Sequence, residues 1–116
     1  MGNNRQTGTA HEEKAAAWLE TQGMRILERN YRCRQGEIDL IAMDGRYLVF
    51  VEVKYRRDMQ AGHPAEAVDV RKQRRISRAA ARYLMERGIS QEQPCRFDVV
   101  AVLGDRTEHI KDAFGL

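Results

Sequence analysis

Four charged residues interrupt two otherwise apolar stretches of the chain: Glu37 and Asp39 in the first, Glu52 and Lys54 in the second. Charged side chains are seldom buried without partners, so their place within Gly36 to Arg57 (GEIDLIAMDGRYLVFVEVKYRR) asks for a reason. Each stretch has the composition of a β-strand. Asp44-Gly45 between them suits a tight hairpin turn, because both residue types tolerate positive φ. Side chains alternate across a strand, so Glu37 and Asp39 share one face, as do Glu52 and Lys54. A two-residue loop at Asp44-Gly45 pairs Met43 with Arg46, which sets Glu37 opposite Glu52 and Asp39 opposite Phe50. All four charges then gather on one face, with Val49, Val51 and Val53 on the other. Three carboxylates so placed repel one another unless a cation sits among them. A hard divalent ion, Mg²⁺ or Mn²⁺, takes a few carboxylate oxygens and keeps several waters. A lysine beside it can stabilise an anion or orient a water. The plainer alternative is a solvent-facing strand surface salt-bridged across the hairpin. An acidic pair in register with the E-x-K triplet favours the metal site.

The elements that must position these residues follow from pattern. Residues 1–7 are polar and expected to be flexible. Thr9 and Glu12 have the spacing of a capping box, so a helix is expected from Thr9, with Ala15, Ala16 and Leu19 on its apolar stripe and Gly23 as its stop. Glu12 either caps this helix or projects from the stripe toward the sheet, whereas Glu13 faces away. Met24 to Cys33 reads as an edge-like first strand, with Arg29, Asn30, Arg32 and Arg34 suited to a phosphate-facing rim or to ordinary surface. Tyr55 to Pro64 is expected to be a loop beside the site and a candidate mobile flap, with a short turn opening at Pro64. Asp69 is placed to cap a long helix from Val70 to about Arg87, ended by Gly88. Its stripe is Ile76, Ala79, Ala80, Tyr83 and Leu84. Arg71, Lys72, Arg74, Arg75, Arg78, Arg82 and Arg87 crowd the rest, with Glu86 as the helix's acid. Such a helix repels itself, and a polyanion would offset that; a merely solvated basic face is the alternative. Cys95 to Leu103 reads as a buried strand in which Asp98 faces the sheet surface or pairs with an arginine, and Glu108 to Ile110 as a last short strand. The order is α-β-β-β-α-β-β, an α/β domain with a mixed sheet flanked by helices.

Asp39, with Glu52-Val53-Lys54 across a hairpin, resembles the core of the restriction-endonuclease-like nucleases, the PD-(D/E)xK superfamily. GEIDLIA, VFVEVKYR, PAEAV, KQRRI, CRFDVVAV and EHIKDAF together resemble the bacterial YraN family over Gly8 to Phe114. That family is placed near the archaeal Holliday junction resolvases. The resemblance implies a restriction-endonuclease-like core over residues 8–116. It also implies a helical glutamate four residues after a glycine, which Gly8 and Glu12 match, and a Lys72-Gln73 pair at the site edge. Two features depart from the superfamily pattern: Ile38 rather than proline precedes Asp39, and Glu37 is an additional acid.

The chain of 116 residues suits one domain with a core of its own, and its 32% charged residues are ordinary for a globular protein. The net charge of +3 is modest but unevenly spread. Cys33 and Cys95 lack metal-ligand spacing and are expected to be reduced. No signal peptide or apolar run of membrane length is evident, so the expectation is a cytoplasmic protein without a membrane partner. The expected function is a Mg²⁺-dependent endonuclease on DNA, branched or otherwise structured, using a metal-activated water on a phosphodiester. Asp39, Glu52, Glu12 and Glu37 are the expected metal ligands and Lys54 the expected catalytic cation. Arg32, Arg34, Arg71, Lys72, Gln73, Arg74, Arg75 and Arg78 are expected to meet nucleic acid. A resolvase needs two sites and therefore a two-fold dimer. The alternatives are a nucleic-acid-binding module of the same fold without turnover and, more remotely, a basic helix that binds an acidic protein.

Overall fold

The computed structural model describes residues 3–56 and 68–115. Helix α1 (Asn3–Thr21) leads into strands β1 (Arg25–Cys33), β2 (Gly36–Asp44) and β3 (Tyr47–Arg56). Helix α2 (Val70–Glu86) and strands β4 (Cys95–Leu103) and β5 (Arg106–Ile110) follow. The strands form one sheet in sequence order, antiparallel throughout except that β3 and β4 run parallel. A parallel pair needs a crossover, and α2 lies within it. The element order and the mixed α/β architecture are those expected from pattern. No helix among the described residues is long and apolar enough to cross a membrane.

Both faces of the sheet are covered. Ala15, Ala16 and Leu19 of α1 pack on Leu40, Ala42, Val49, Val51 and Val100. Ile76, Ala79, Ala80 and Tyr83 of α2 pack on Ile41, Leu48, Phe50, Phe97 and Val99. Two covered faces explain why β3 and β4 read as continuous apolar runs rather than alternating ones. The valines of β3 do line the α1 side. On the α2 side, Phe50 stacks on Phe97 at 5.5 Å and meets Tyr83 edge-on at 6.1 Å. Removing Phe50 to alanine would cost about 3–5 kcal/mol at such a site.

Four expectations need correction. The hairpin loop is Gly45-Arg46, not Asp44-Gly45, because Asp44 pairs with Tyr47 and Met43 with Leu48. Gly45 takes a positive φ of 60° and Arg46 does not, the pattern of a turn with glycine first. Glu37 is therefore not opposite Glu52. The two-residue shift in register preserves the faces of β3, as a one-residue slip would not. Second, α1 begins at Asn3 and already contains Thr9, so Glu12 lies mid-helix rather than in a capping box, and residues 3–7 are helical. Third, strict alternation fails in β2. Ile38 and Ile41, three residues apart, both pack on the α2 side, while Leu40 and Ala42 face α1. The four charges consequently do not share one simple face. Of the expected loop over 55–64, Tyr55 and Arg56 extend β3 instead, and the remainder, with Pro64, lies outside the described residues.

Candidate functional site

The break in β2 centres on Asp39. Registered pairing of β2 with β3 runs from Asp44↔Tyr47 to Leu40↔Val51. Beyond it, the backbone N–H of Val53 donates to Asp39 Oδ2 at 2.8 Å, so a side chain takes the place of a strand partner. The carboxylate is thereby fixed where the two strands part.

Two half-sites meet there. Toward α1, carboxylate oxygens of Glu12, Glu37 and Asp39 all lie within 4.8 Å of one another. Glu12 comes from the same helix that buries Ala15, Ala16 and Leu19, and its Oε2 is buried without a hydrogen-bond partner among the described residues. Toward α2, Glu52 is buried, and its Oε1 takes two ammonium groups, Lys72 Nζ at 2.7 Å and Lys54 Nζ at 3.4 Å. Glu52 is not a member of the Glu12–Glu37–Asp39 group.

Burial is the first reason that the Asp39 carboxyl is pushed up to about 8. The charge of Glu52 adds to it, as do Glu12 and Glu37 more weakly, against the pull of the Val53 N–H. Glu12 is likewise raised, first by burial and then by the charge of Glu37, with the Asn30 side chain opposing. Burial also lowers Lys54, and its contact with Lys72 lowers it further. Burial works against the charge on Lys72 too, but the bonds to Glu52 and Lys54 outweigh it and the net shift is upward. Raised acids and a lowered lysine in one region are the shifts expected where burial and like charges act together, a pattern that functional sites favour.

The other expected residues are placed as follows. Arg32 is exposed and sits 3.6 Å from Glu37, and Arg34 is exposed. Arg71, Arg74, Arg75 and Arg78 are exposed on α2 and make no ion pair to another described residue. Arg82 and Arg87 are matched by Glu86 and Glu28, at 2.7 and 2.9 Å, so the helix is less unbalanced than its sequence suggests. Gln73 does not reach into the acids: its Nε2 donates to the Val68 carbonyl. Lys72, expected only at the site edge, lies on Glu52 itself. A groove of about 250 Å³ lined by Gly36, Glu37, Lys72, Arg75 and Ile76 joins the acids to the basic face.

Two features escaped sequence reasoning. His11 stacks on Tyr55 at 4.0 Å and 8°, each one residue from a site residue (Glu12 and Lys54), a proximity no pattern announces. Asn30 adopts a φ of 54°, a left-handed conformation that asparagine tolerates, and lies beside Glu12.

Fold and site together define an α/β protein with a mixed five-stranded sheet and a cluster of acids and lysines where two strands diverge. Residues 11–102 match the family model described as "Uncharacterised protein family UPF0102". A UPF0102 protein of Lachnoclostridium phytofermentans is 49% identical over 112 residues, covering 97% of this chain and 95% of that protein. One from Syntrophus aciditrophicus is 52% identical over 120 residues, covering 100% of this chain and 94% of its own. Another, from Symbiobacterium thermophilum, is 56% identical over 99 residues, covering 85% of this chain and 83% of its own. The chain belongs to the UPF0102 family, the YraN family whose motifs its sequence resembles.

Proposed function

We propose that this protein is a Mg²⁺-dependent endonuclease of restriction-endonuclease-like fold that acts on DNA in the cytoplasm. The observation that carries the reading is the convergence of Glu12, Glu37 and Asp39 within 4.8 Å, with a buried Glu12 oxygen that no donor among the described residues satisfies. All the donors are carboxylate oxygens, which fit a hard divalent cation and not a soft one. Glu12, Glu37 and Asp39 would hold the ion, with Glu52 joining them. When bound, it supplies Lewis acidity to a phosphate oxygen and lowers the pKa of a water.

The chain's own residues do the rest. Lys54 places an ammonium beside the acids, where it offsets charge that develops on the attacked phosphate. Arg71, Arg74, Arg75 and Arg78 offer exposed guanidinium groups along one helix to hold flanking phosphates and set the register of the duplex. Branched DNA of the four-way type is the substrate we favour, which requires a two-fold dimer. The test is cleavage of linear, nicked and four-way DNA by pure protein with Mg²⁺ or Mn²⁺, beside Glu52→Gln. We expect wild-type cleavage that the variant loses; no cleavage of any of the three by wild type rejects the enzyme.

One observation favours a second reading, a nucleic-acid-binding module without turnover. Glu52 is occupied by two lysines and stands apart from the other acids. DNA binding that no divalent cation alters, with no cleavage, would establish it.

A further inference from the structure

Charge is divided unevenly across the site. Glu12, Glu37 and Asp39 crowd together, and among the described residues the cation that pairs with a member of the group is Arg32, 3.6 Å from the exposed Glu37. Glu52 has two ammonium groups on a single oxygen. Its side chain is 8% exposed, so those contacts, more than water, satisfy its oxygens.

Lys72 is well anchored for this contact. Asp69 Oδ1 accepts the backbone N–H of Lys72 at 2.9 Å and caps the helix, and Gln73 ties the same turn to Val68. One turn on, α2 sits hard against the start of β2: a Cβ added at Gly36 would stand 3.3 Å from the Arg75 carbonyl oxygen. The first turn of α2 therefore cannot drift, and the flexible part of the contact is the lysine side chain itself.

We propose that Lys72 is a positioning residue for Glu52, one that holds its carboxylate in the cation-free protein and yields it when a divalent cation binds. This rests on the cation reading given above. Lys72 and the cation are alternative partners of one carboxylate, so each weakens the hold of the other. The released ammonium stays at the groove formed by Gly36, Glu37, Arg75 and Ile76, where a phosphate oxygen can replace the carboxylate it has lost. The lysine thus passes from an internal acid to the substrate as the ion arrives.

The test is titration of the full chain with Mn²⁺ alone, followed by calorimetry, for wild type, Lys72→Met, Lys72→Gln and Arg75→Met. Removing the competitor should tighten Mn²⁺ binding by about three- to thirtyfold in both Lys72 variants, the range of a charge-assisted bond to a half-exposed lysine. Arg75→Met controls for general charge: its effect should vanish at about 1 M salt, where screening acts over about 3 Å, while the Lys72 effect persists. A lysine of merely structural importance would give weaker binding on removal, and that result overturns the proposal. Equal affinity in wild type and both Lys72 variants overturns it too, while leaving the cation site intact. If neither wild type nor the Lys72 variants bind Mn²⁺, the cation reading itself fails and this inference with it. Binding only after Lys72 is removed would support the exchange in its strongest form.

Discussion

Asp98 and Asp39 are both acids within apolar strands, and the structure treats them in opposite ways. Asp98 is fully buried on β4, yet every direction around it supplies a donor. Arg96 Nε and Nη2 reach it at 2.9 Å each, His109 Nε2 at 2.7 Å and the backbone N–H of Asp112 at 3.0 Å. Burial alone would raise its carboxyl, but the bonds from His109 and Arg96 outweigh burial and hold it below the usual range. Asp39 has the backbone N–H of Val53 and, beyond it, further acids, and it is pushed up to about 8. A buried charge therefore does not mark a functional site. A half-buried acid such as Asp39, with other acids beside it and the Val53 N–H as its donor among the described residues, is the stronger candidate, because folding alone gives less reason to keep it.

The largest effect separating the two regions should come from Asp98→Asn, which leaves Arg96 and His109 facing a neutral group. Urea denaturation should show a loss of about 3–5 kcal/mol, the cost of breaking a buried pair by removing one partner. A loss below about 1 kcal/mol would break the comparison. Next comes Lys54→Ala, which should slow single-turnover cleavage by about two to three orders of magnitude. Equal rates would remove Lys54 from the chemistry.

The pH dependence of stability in metal-free protein should carry opposite signs for the two aspartates. The folded pKa of Asp98 lies below its ordinary 3.8, so its stabilisation is present above that value and is lost as pH falls through the folded one. The folded pKa of Asp39 is raised from 3.8 to about 8, so its contribution is intact below about pH 4 and is lost as pH rises toward 8. Asp39→Asn should flatten the decline between these values, and Asp98→Asn should flatten the acid limb. Unfolding curves across this range, with chelator present, decide it. The smallest effect is expected at Arg78→Ala, which should lower the slope of log K against log salt for DNA by about one. An unchanged slope would move the DNA surface away from α2.

Legibility in the sequence followed the range of the interactions. The strands, the Asp69 cap and the apolar stripe of α2 are set by neighbours a few residues apart, and pattern found them. The hairpin loop lies one residue beyond Asp44-Gly45, which moves the register by two, because Gly45 supplies positive φ at the first loop position and suits either turn. The start of α1 was mistaken because Thr9 and Glu12 imitate a cap inside a helix that continues upstream. The kink at Asp39 and the contact of Lys72 with Glu52 arise from elements far apart in the chain, so no local spacing encodes them. For Asp98, an arginine partner was foreseeable two residues away at Arg96, but His109 and Asp112 come from beyond the next turn. The acids of the site were legible individually; their grouping into three plus one was not.

If Glu12, Glu37 and Asp39 hold a divalent cation as proposed, melting temperature shows it most directly. Wild type, Asp39→Asn and Asp98→Asn would be melted in chelator and then in millimolar Mn²⁺. Cation bound only by the folded state should raise wild type by at least about 5 °C, and Asp98→Asn by a similar amount from its lower baseline. Asp39→Asn should start at or above the wild-type temperature in chelator and respond little to Mn²⁺. A wild type that Mn²⁺ leaves unmoved, or an Asp39→Asn that responds as wild type does, would contradict the account.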